Sequence, residues 1–212
     1  MHPRGSALVG WWMFELEDPV PAGVEGVEYL LGRLSVAAAV LSEASFLVPS
    51  KLECRRWKAF KLPVVALPLD GVVEPGPLAD QLGAFAAEHG APEAQPSKLR
   101  LSGPGRYFDA SGEVHVDDRL CDLEITNYRT HGSILVLSVY SDVWLPYDLT
   151  ARPQPEVWRR NAPRLEAVLR QLEAAFGVEV EPGEPTKHAE ILRYGLDNLR
   201  DVRDEVIDTL TW

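Results

Sequence analysis

The sequence contains only two cysteines, Cys54 and Cys121, and has no cluster of cysteines with histidines. This pattern argues against a structural zinc site and is typical of proteins from reducing compartments. The chain also lacks an apolar run of the roughly 18 residues that cross a bilayer. Its N-terminal segment, MHPRGSALVGWW, has no apolar core of the kind found in signal peptides. These absences predict a cytoplasmic protein that does not enter membranes.

Motifs that identify a reaction are missing as well. The sequence has no GxSxG, no HExxH and no GxxxxGK[ST], the patterns of serine nucleophiles, zinc hydrolases and phosphate-binding loops. The one glycine-rich segment, SGPGRY at 102–107, includes a proline and precedes no helical pattern, so it predicts a turn. We therefore expect no catalytic residue and no cofactor, although a site assembled from distant residues stays open.

Positive charge is scarce in this chain. Its 21 lysines and arginines face 32 aspartates and glutamates, which gives a net charge of −11 and an isoelectric point of about 4.9. Nucleic acids and anionic lipids require a basic surface, whereas an acidic surface attracts basic proteins. One exception is the segment 51–61, with five basic residues and one acid. We therefore expect a basic protein partner, no nucleic acid and no membrane.

The most regular pattern lies in residues 120–148. Cys121, Leu123 and Ile125 alternate with polar residues, which predicts a strand with one buried face. The segment from Ser133 to about Trp144 is apolar on both sides, which predicts a central strand covered on both faces. The two segments form a predicted antiparallel hairpin that turns near 130–132.

Apolar residues with helical spacing predict helices at 24–43, 77–89 and 163–176. The third helix is predicted to begin after an Asn161 N-cap, with Pro163 in its first turn. Other extended segments are predicted at 6–16, 46–48, 63–68, 98–102, 105–108 and 113–116. Strands clustered between helices predict an α+β fold with a mainly antiparallel sheet, in which a long central hairpin packs against two to four helices.

The domain organisation predicted for this sequence is a single domain, residues 1–212. The Pro-rich segment 149–156 is too short to force a boundary. The strongly acidic segment 178–212 is predicted to be peripheral, and its apolar residues hint at a helix that Gly195 interrupts.

Aromatic and acidic residues gather at the ends of two predicted strands. Tryptophan and tyrosine are common interface anchors, and carboxylates beside them suit a basic partner. Trp11 and Trp12 precede the first group, but their apolar surroundings predict core positions. The predicted partner-binding residues are Glu15, Glu17 and Asp18 at the end of the first strand, and Asp142, Trp144, Tyr147 and Asp148 at the end of the hairpin.

An alternative site is a metal-assisted hydrolase built on His115, Asp117 and Asp118 in the sequence VHVDD. Strand alternation places the first two on one side, where they could hold a metal or act as a base with its orienting group. The cluster lacks a third and a fourth ligand in sequence, so no tightly bound metal is expected. Asp122 and Glu124 lack the lysine of a nuclease motif and predict a solvated strand face.

Residues 138–177, SVYSDVWLPYDLTARPQPEVWRRNAPRLEAVLRQLEAAFG, resemble a segment of uncharacterised proteins from high-GC actinobacteria. The whole chain is similar in type to the immunity proteins of bacterial polymorphic toxin systems. That resemblance implies a small acidic α+β protein of the cytoplasm that lacks catalytic motifs. The leading hypothesis is therefore a non-catalytic immunity protein that neutralises a toxin domain by protein–protein contact. A hydrolase and a structural subunit of a larger complex stay open as alternatives.

Overall fold

The computed structural model describes residues 7–128 and 132–211, which form an α+β fold with a mainly antiparallel sheet, as predicted. This part of the chain contains three α-helices: α1 (Val24–Glu43), α2 (Pro75–Glu88) and α3 (Pro155–Phe176). Its strands are β1 (Gly10–Leu16), β2 (Lys51–Trp57), β3 (Val65–Pro68), β4 (Pro96–Ser102), β5 (Gly105–Phe108), β6 (Val114–Asp117), β7 (Cys121–Tyr128), β8 (Gly132–Val139), β9 (Glu181–Pro182), β10 (Ala189–Leu192) and β11 (Gly195–Asn198).

The main sheet has seven strands in the order β3-β2-β4-β7-β8-β1-β9. The predicted long hairpin forms β7 and β8 at its centre, where Leu123 lies opposite Leu137. β8 ends at Val139, earlier than predicted, and a one-turn 3-10 helix follows at Asp142–Trp144. Two small hairpins, β5–β6 and β10–β11, stand apart from the main sheet.

The two faces of the sheet differ in burial. Leu135 and Leu137 of β8 are fully buried in one hydrophobic core with the apolar side chains of α1 and α3. On the opposite face, Ile134 and Val136 are only half-buried. The prediction that both faces of this strand are covered is therefore wrong, although its central position is confirmed.

Cross-strand ion pairs occupy the half-buried face beside β8. Lys98 Nζ lies 2.5 Å from Glu124 Oε1, and Arg100 pairs with Asp122. Arg100 also donates to the hydroxyl of Tyr140 at 3.1 Å. The two carboxylates of β7 are therefore neutralised by β4, which assigns them a structural role.

The helix α3 begins at Pro155, eight residues before the predicted start, and continues through Pro163. Asn161 is therefore not an N-cap; it lies inside the helix and is fully buried. Its side chain clamps β5, because Oδ1 accepts from Phe108 N at 2.9 Å and Nδ2 donates to Phe108 O at 2.7 Å. This contact between distant segments stabilises the first half of the helix, which local sequence signals do not reveal.

Two other predictions are wrong. The basic segment forms β2, and only the second of the two flanking runs, 63–68, contains a strand. The segment 178–212 forms the β10–β11 hairpin instead of a helix, and Val180, Ala189 and Leu196 are buried in the main core. Helical spacing failed there because the chain turns at residues 193–194 and Leu196 of β11 packs against β1, where a Cβ on Gly10 would collide with its side chain.

Both cysteines are free and buried, and burial raises the pKa of the Cys54 thiol to about 12. Such thiols stay protonated and unreactive. No helix in the described ranges combines the length and the apolar character needed to cross a membrane.

Candidate functional site

The two predicted binding groups lie at opposite ends of β1, because β1 and β8 are antiparallel. Leu16 is opposite Ser133, and Gly10 is opposite Val139. The first group lies on both sides of Leu16, and the second follows Val139. At ~3.4 Å per residue, the length of β1 places about 20 Å between them. They are therefore two separate sites.

Trp144 of the second group is a core residue. Its side chain is 0% exposed, and its ring packs against Phe46 with the centroids 4.9 Å apart. The indole Nε1 has no hydrogen-bond partner among the described residues. The ring is inaccessible, so it cannot be the exposed anchor that the sequence suggested.

The acids of the second group hold a turn together. Asp142 is buried, and its Oδ2 accepts from Leu149 N at 3.3 Å. Asp148 Oδ1 accepts from the backbone N of Thr150 at 2.9 Å, from its hydroxyl at 2.7 Å, and from Arg152 N at 3.0 Å. Partial burial raises the pKa of Asp148, but these donors outweigh it and lower the pKa below its usual value. Both carboxylates stabilise the protein itself.

Tyr147 completes this corner through its backbone. Its N donates to Asn198 Oδ1 at 3.0 Å, and its O accepts from Asn198 Nδ2 at 2.9 Å. The amide of a buried asparagine thus joins the turn to β11. The second group is a structural corner with a half-buried tyrosine at its surface.

The first group lines an open cleft of about 480 Å³ at the edge of the sheet. β1 and the residues after it form one wall, and the chain that leaves α3 forms the other. This volume lies within the range of ligand-binding clefts. The charged residues of the lining are Glu15, Glu17, Asp18, Arg33, Glu179 and Glu181. We call this feature the acidic cleft.

Five carboxylates and one guanidinium give the acidic cleft a net charge of −4. Arg33 pairs with Asp18, and its guanidinium lies 5.0 Å from the ring of Tyr29. Glu179 lies 3.3 Å from Arg193 outside the cleft. The positive charge of Arg33 is therefore already engaged, and most of the negative charge of the cleft has no compensating partner among the described residues.

Glu15, Glu17 and Glu181 are exposed and have no ion-pair partner within residues 7–128 and 132–211. The uncharged residues of the lining are Leu16, Phe176, Gly177 and Val178. A concave site with a shared negative charge concentrates cations near its surface. The arrangement suits a ligand that combines positive charge with an apolar stem, such as a lysine or arginine side chain.

The second wall of the acidic cleft is held in place by Glu173 of α3. Its Oε1 accepts from Val180 N at 2.8 Å, and its Oε2 accepts from the hydroxyl of Tyr194 at 2.9 Å. Desolvation raises the pKa of Glu173, but its hydrogen bonds dominate and lower it. Gly177 ends the helix in the left-handed region, at φ 69°, which turns the chain back toward β1.

His115 does not meet Asp117 and Asp118 in a shared cluster, so the predicted trio is wrong. His115 Nε2 lies 3.0 Å from Asp109 Oδ2, and Glu113 completes a group whose ligand atoms lie within 4.8 Å of one another. The neighbouring Asp117 instead accepts from the backbone N of Arg119 at 2.8 Å.

One carboxylate oxygen of this new trio already accepts hydrogen bonds from its own turn. Asp109 Oδ1 accepts from Ser111 N at 2.8 Å, from the Ser111 hydroxyl at 2.7 Å and from Glu113 N at 2.9 Å. The hydroxyl of Ser111, then His115, lower the pKa of Asp109 far below its usual range. The trio lies partly open to solvent on the β5–β6 hairpin, where it can offer ligands to a divalent cation.

Sequence reasoning found half of the acidic cleft. Glu179 and Glu181 follow α3 in the sequence GVEVEP, where glutamates alternate directly after the helix-ending Gly177. That alternation indicates a strand directly after the end of the helix. It was missed because the surrounding segment, 178–212, is strongly acidic. Arg33 gives no local signal, because it reaches the cleft only through the packing of α1.

No protein-family model, curated protein or solved structure matches this chain significantly. No residue role comes to it from a relative, and the roles of its side chains rest on their own contacts.

Proposed function

We propose that this chain is a non-catalytic cytoplasmic binding protein that neutralises a basic partner protein, in the manner of a bacterial immunity protein and its toxin domain. The observation that supports this proposal is the acidic cleft with its uncompensated carboxylates. A basic protein would gain both charge pairing and apolar contact there. Of the seven predicted partner-binding residues, Glu15, Glu17 and Asp18 keep this role, and Tyr147 is retained as a peripheral candidate.

Growth rescue tests this proposal. The chain is co-expressed with the product of the adjacent gene, and growth is compared with that of cells that express the neighbour alone. We expect rescue by the wild-type chain and its loss in the double variant Glu17→Lys, Glu181→Lys. The matched control is Asp80→Lys, Glu88→Lys on α2, which makes the same charge change on exposed residues at the opposite edge of the sheet. Rescue by both double variants would contradict the cleft as the binding site.

A second candidate function is a metal-assisted hydrolase, which the trio of Asp109, Glu113 and His115 favours over the predicted residues. One histidine and two carboxylates are ligands that Mn²⁺, Fe²⁺ or Zn²⁺ accepts. Titration of the purified chain with each ion, compared with His115→Ala, tests this candidate. Binding of one ion that His115→Ala abolishes would support it, and equal binding by both proteins would exclude it.

A further inference from the structure

We propose that the acidic cleft takes an extended, lysine- or arginine-bearing segment of the partner as an added strand on β1. This inference rests on the proposed function, because it takes the partner to be a protein. It is carried by an unpaired strand edge that lies inside a cleft of net charge −4. Addition of a peptide strand to an exposed sheet edge is a recurrent mode of recognition.

The unpaired edge results from the shortness of β9. β9 pairs with only two residues of β1, Trp12 opposite Pro182 and Met13 opposite Glu181. The rest of β1, Phe14–Leu16, has β8 on one side and no described strand on the other. Val180 N donates to Glu173, so the chain before β9 is bound to α3 and does not continue the pairing.

Strand alternation identifies the peptide group that faces the cleft. Trp11 O accepts from Gly183 N at 3.0 Å, so the backbone polar groups of Trp11 point toward β9. Backbone polar groups of alternate residues in a strand face the same neighbour. Those of Met13 therefore face Glu181, and those of Glu15 face the open edge. An incoming strand would find one N–H and one C=O there.

The other open edge nearby is blocked. On β9, the backbone polar groups of Glu181 and Gly183 point toward β1. The backbone of Pro182, between them, therefore faces outward, and proline has no N–H. A proline at that place prevents further pairing. Strand addition at this end of the sheet is thus confined to β1.

Side-chain alternation defines the chemistry of the segment. Every second residue of an added strand would lie on the face of Glu15, where a lysine or arginine pairs with the carboxylates. The residues between them would lie over Leu16 and Phe176, where apolar side chains fit. A second copy of this chain would bring equal acidic edges together, and the repulsion between like charges disfavours it.

The test separates the backbone of Glu15 from its charge. Glu15→Pro and Glu15→Ala both remove the carboxylate, but only the proline removes the N–H that faces the cleft. The probe is a capped peptide in which lysine alternates with valine, and its affinity is measured by amide NMR at about 0.01 M salt. A peptide with an N-methyl group on its central valine is the matched control, since it retains the charge and loses one donor.

We expect Glu15→Ala to weaken binding through lost charge and Glu15→Pro to weaken it about fivefold further, as the loss of a backbone hydrogen bond predicts. The N-methylated peptide should bind about fivefold more weakly than its parent to the wild-type chain. Equal affinities for the two variants and for the two peptides would overturn strand addition. That result, together with growth rescue by the wild-type chain, would leave the proposed function intact.

Hydrogen exchange on the wild-type chain gives a readout that does not depend on how the proline variant folds. The Glu15 amide should exchange quickly in the free protein and slowly with the lysine peptide, while the Phe14 and Leu16 amides, bonded to β8, stay protected throughout. Slow exchange at Glu15 in the free chain, dimerisation through this edge or absence of peptide binding would each overturn the inference.

Discussion

The two acidic groups at the ends of β1 look alike in sequence but differ in the contacts that their carboxylates make. Asp148 receives three hydrogen bonds from its own turn, and Asp142 is buried. Glu15 and Glu17, at the other end, are exposed without an ion-pair partner in the described chain. Acidic side chains near a strand end are therefore not equivalent, because nearby donors decide whether a carboxylate is bound within the protein or left for a partner.

The source of the difference is the chain that follows each group. After Asp148, Thr150 and Arg152 supply backbone N–H groups within reach of the carboxylate. After Asp18, Pro19 and Pro21 supply none, because proline lacks the N–H. Glu15 and Glu17 therefore stay solvated, whereas Asp18 pairs with Arg33 of α1.

The largest expected effect is on the stability of the corner that contains Asp142, Trp144 and Asp148. Trp144→Ala should lower the free energy of unfolding by about 3–5 kcal/mol, since it opens a cavity beside Phe46. Trp158→Ala on α3 is the matched control, because Trp158 is 36% exposed, and should cost about 1 kcal/mol or less. Denaturant unfolding of both variants measures the difference. Similar small losses would show that Trp144 is not a core residue.

A smaller effect is expected where the two acidic groups are compared directly. Asp148→Ala should cost about 1–2 kcal/mol of stability, because it strips the acceptor from two backbone donors and a hydroxyl. Glu17→Ala should change stability by less than about 0.5 kcal/mol. Thermal or denaturant unfolding of the pair tests the assignment. An equal loss of stability in both variants would contradict the assignment of a structural role to Asp148 and not to Glu17.

The smallest effect concerns the pH dependence of stability. It arises in the C-terminal segment, which contacts the turn that follows Asp148. His188 is buried, its Nδ1 lies 2.8 Å from Thr209 Oγ1, and Thr209 N donates to Leu149 O. Desolvation, then the charge of Lys187, lower the pKa of His188 below 6.5. The neutral ring is thus favoured in the fold, so its contribution to stability is complete above 6.5 and is lost as the pH falls through the folded pKa.

The measurement is the free energy of unfolding at about pH 7 and about pH 5, in the wild type and in His188→Gln. Glutamine retains a hydrogen-bonding group but does not titrate in this range. We expect the loss of stability on acidification to be larger in the wild type. Equal losses would show that His188 does not titrate as its burial requires.

The sequence predicted the fold where periodicity was strong. Helix α1 matches its predicted bounds, 24–43, and the β7–β8 hairpin lies at the centre of the sheet. Prediction failed where a distant partner decided the structure. Asn161 extends α3 through its bonds to Phe108, and packing against β1 turns the 189–198 segment into a hairpin.

The acidic cleft was predicted in part for the same reason. Glu15, Glu17 and Asp18 were recognisable as acids beside aromatics at a strand end. Glu181 lies more than 160 residues further along the chain and joins them only because β9 pairs with β1. A local pattern identifies one wall of a cleft, and long-range pairing supplies the other.

The most direct test is the association rate of the chain with the adjacent gene's product across a salt series. Screening shortens the Debye length from about 30 Å at 0.01 M to about 8 Å at 0.15 M, so the wild-type rate should fall steeply. At low salt, Glu17→Lys, Glu181→Lys should associate at least about tenfold more slowly than the wild type. Asp80→Lys, Glu88→Lys should reduce the rate much less. Equal slowing by both double variants, or a rate that ignores salt, would contradict the acidic cleft as the binding site.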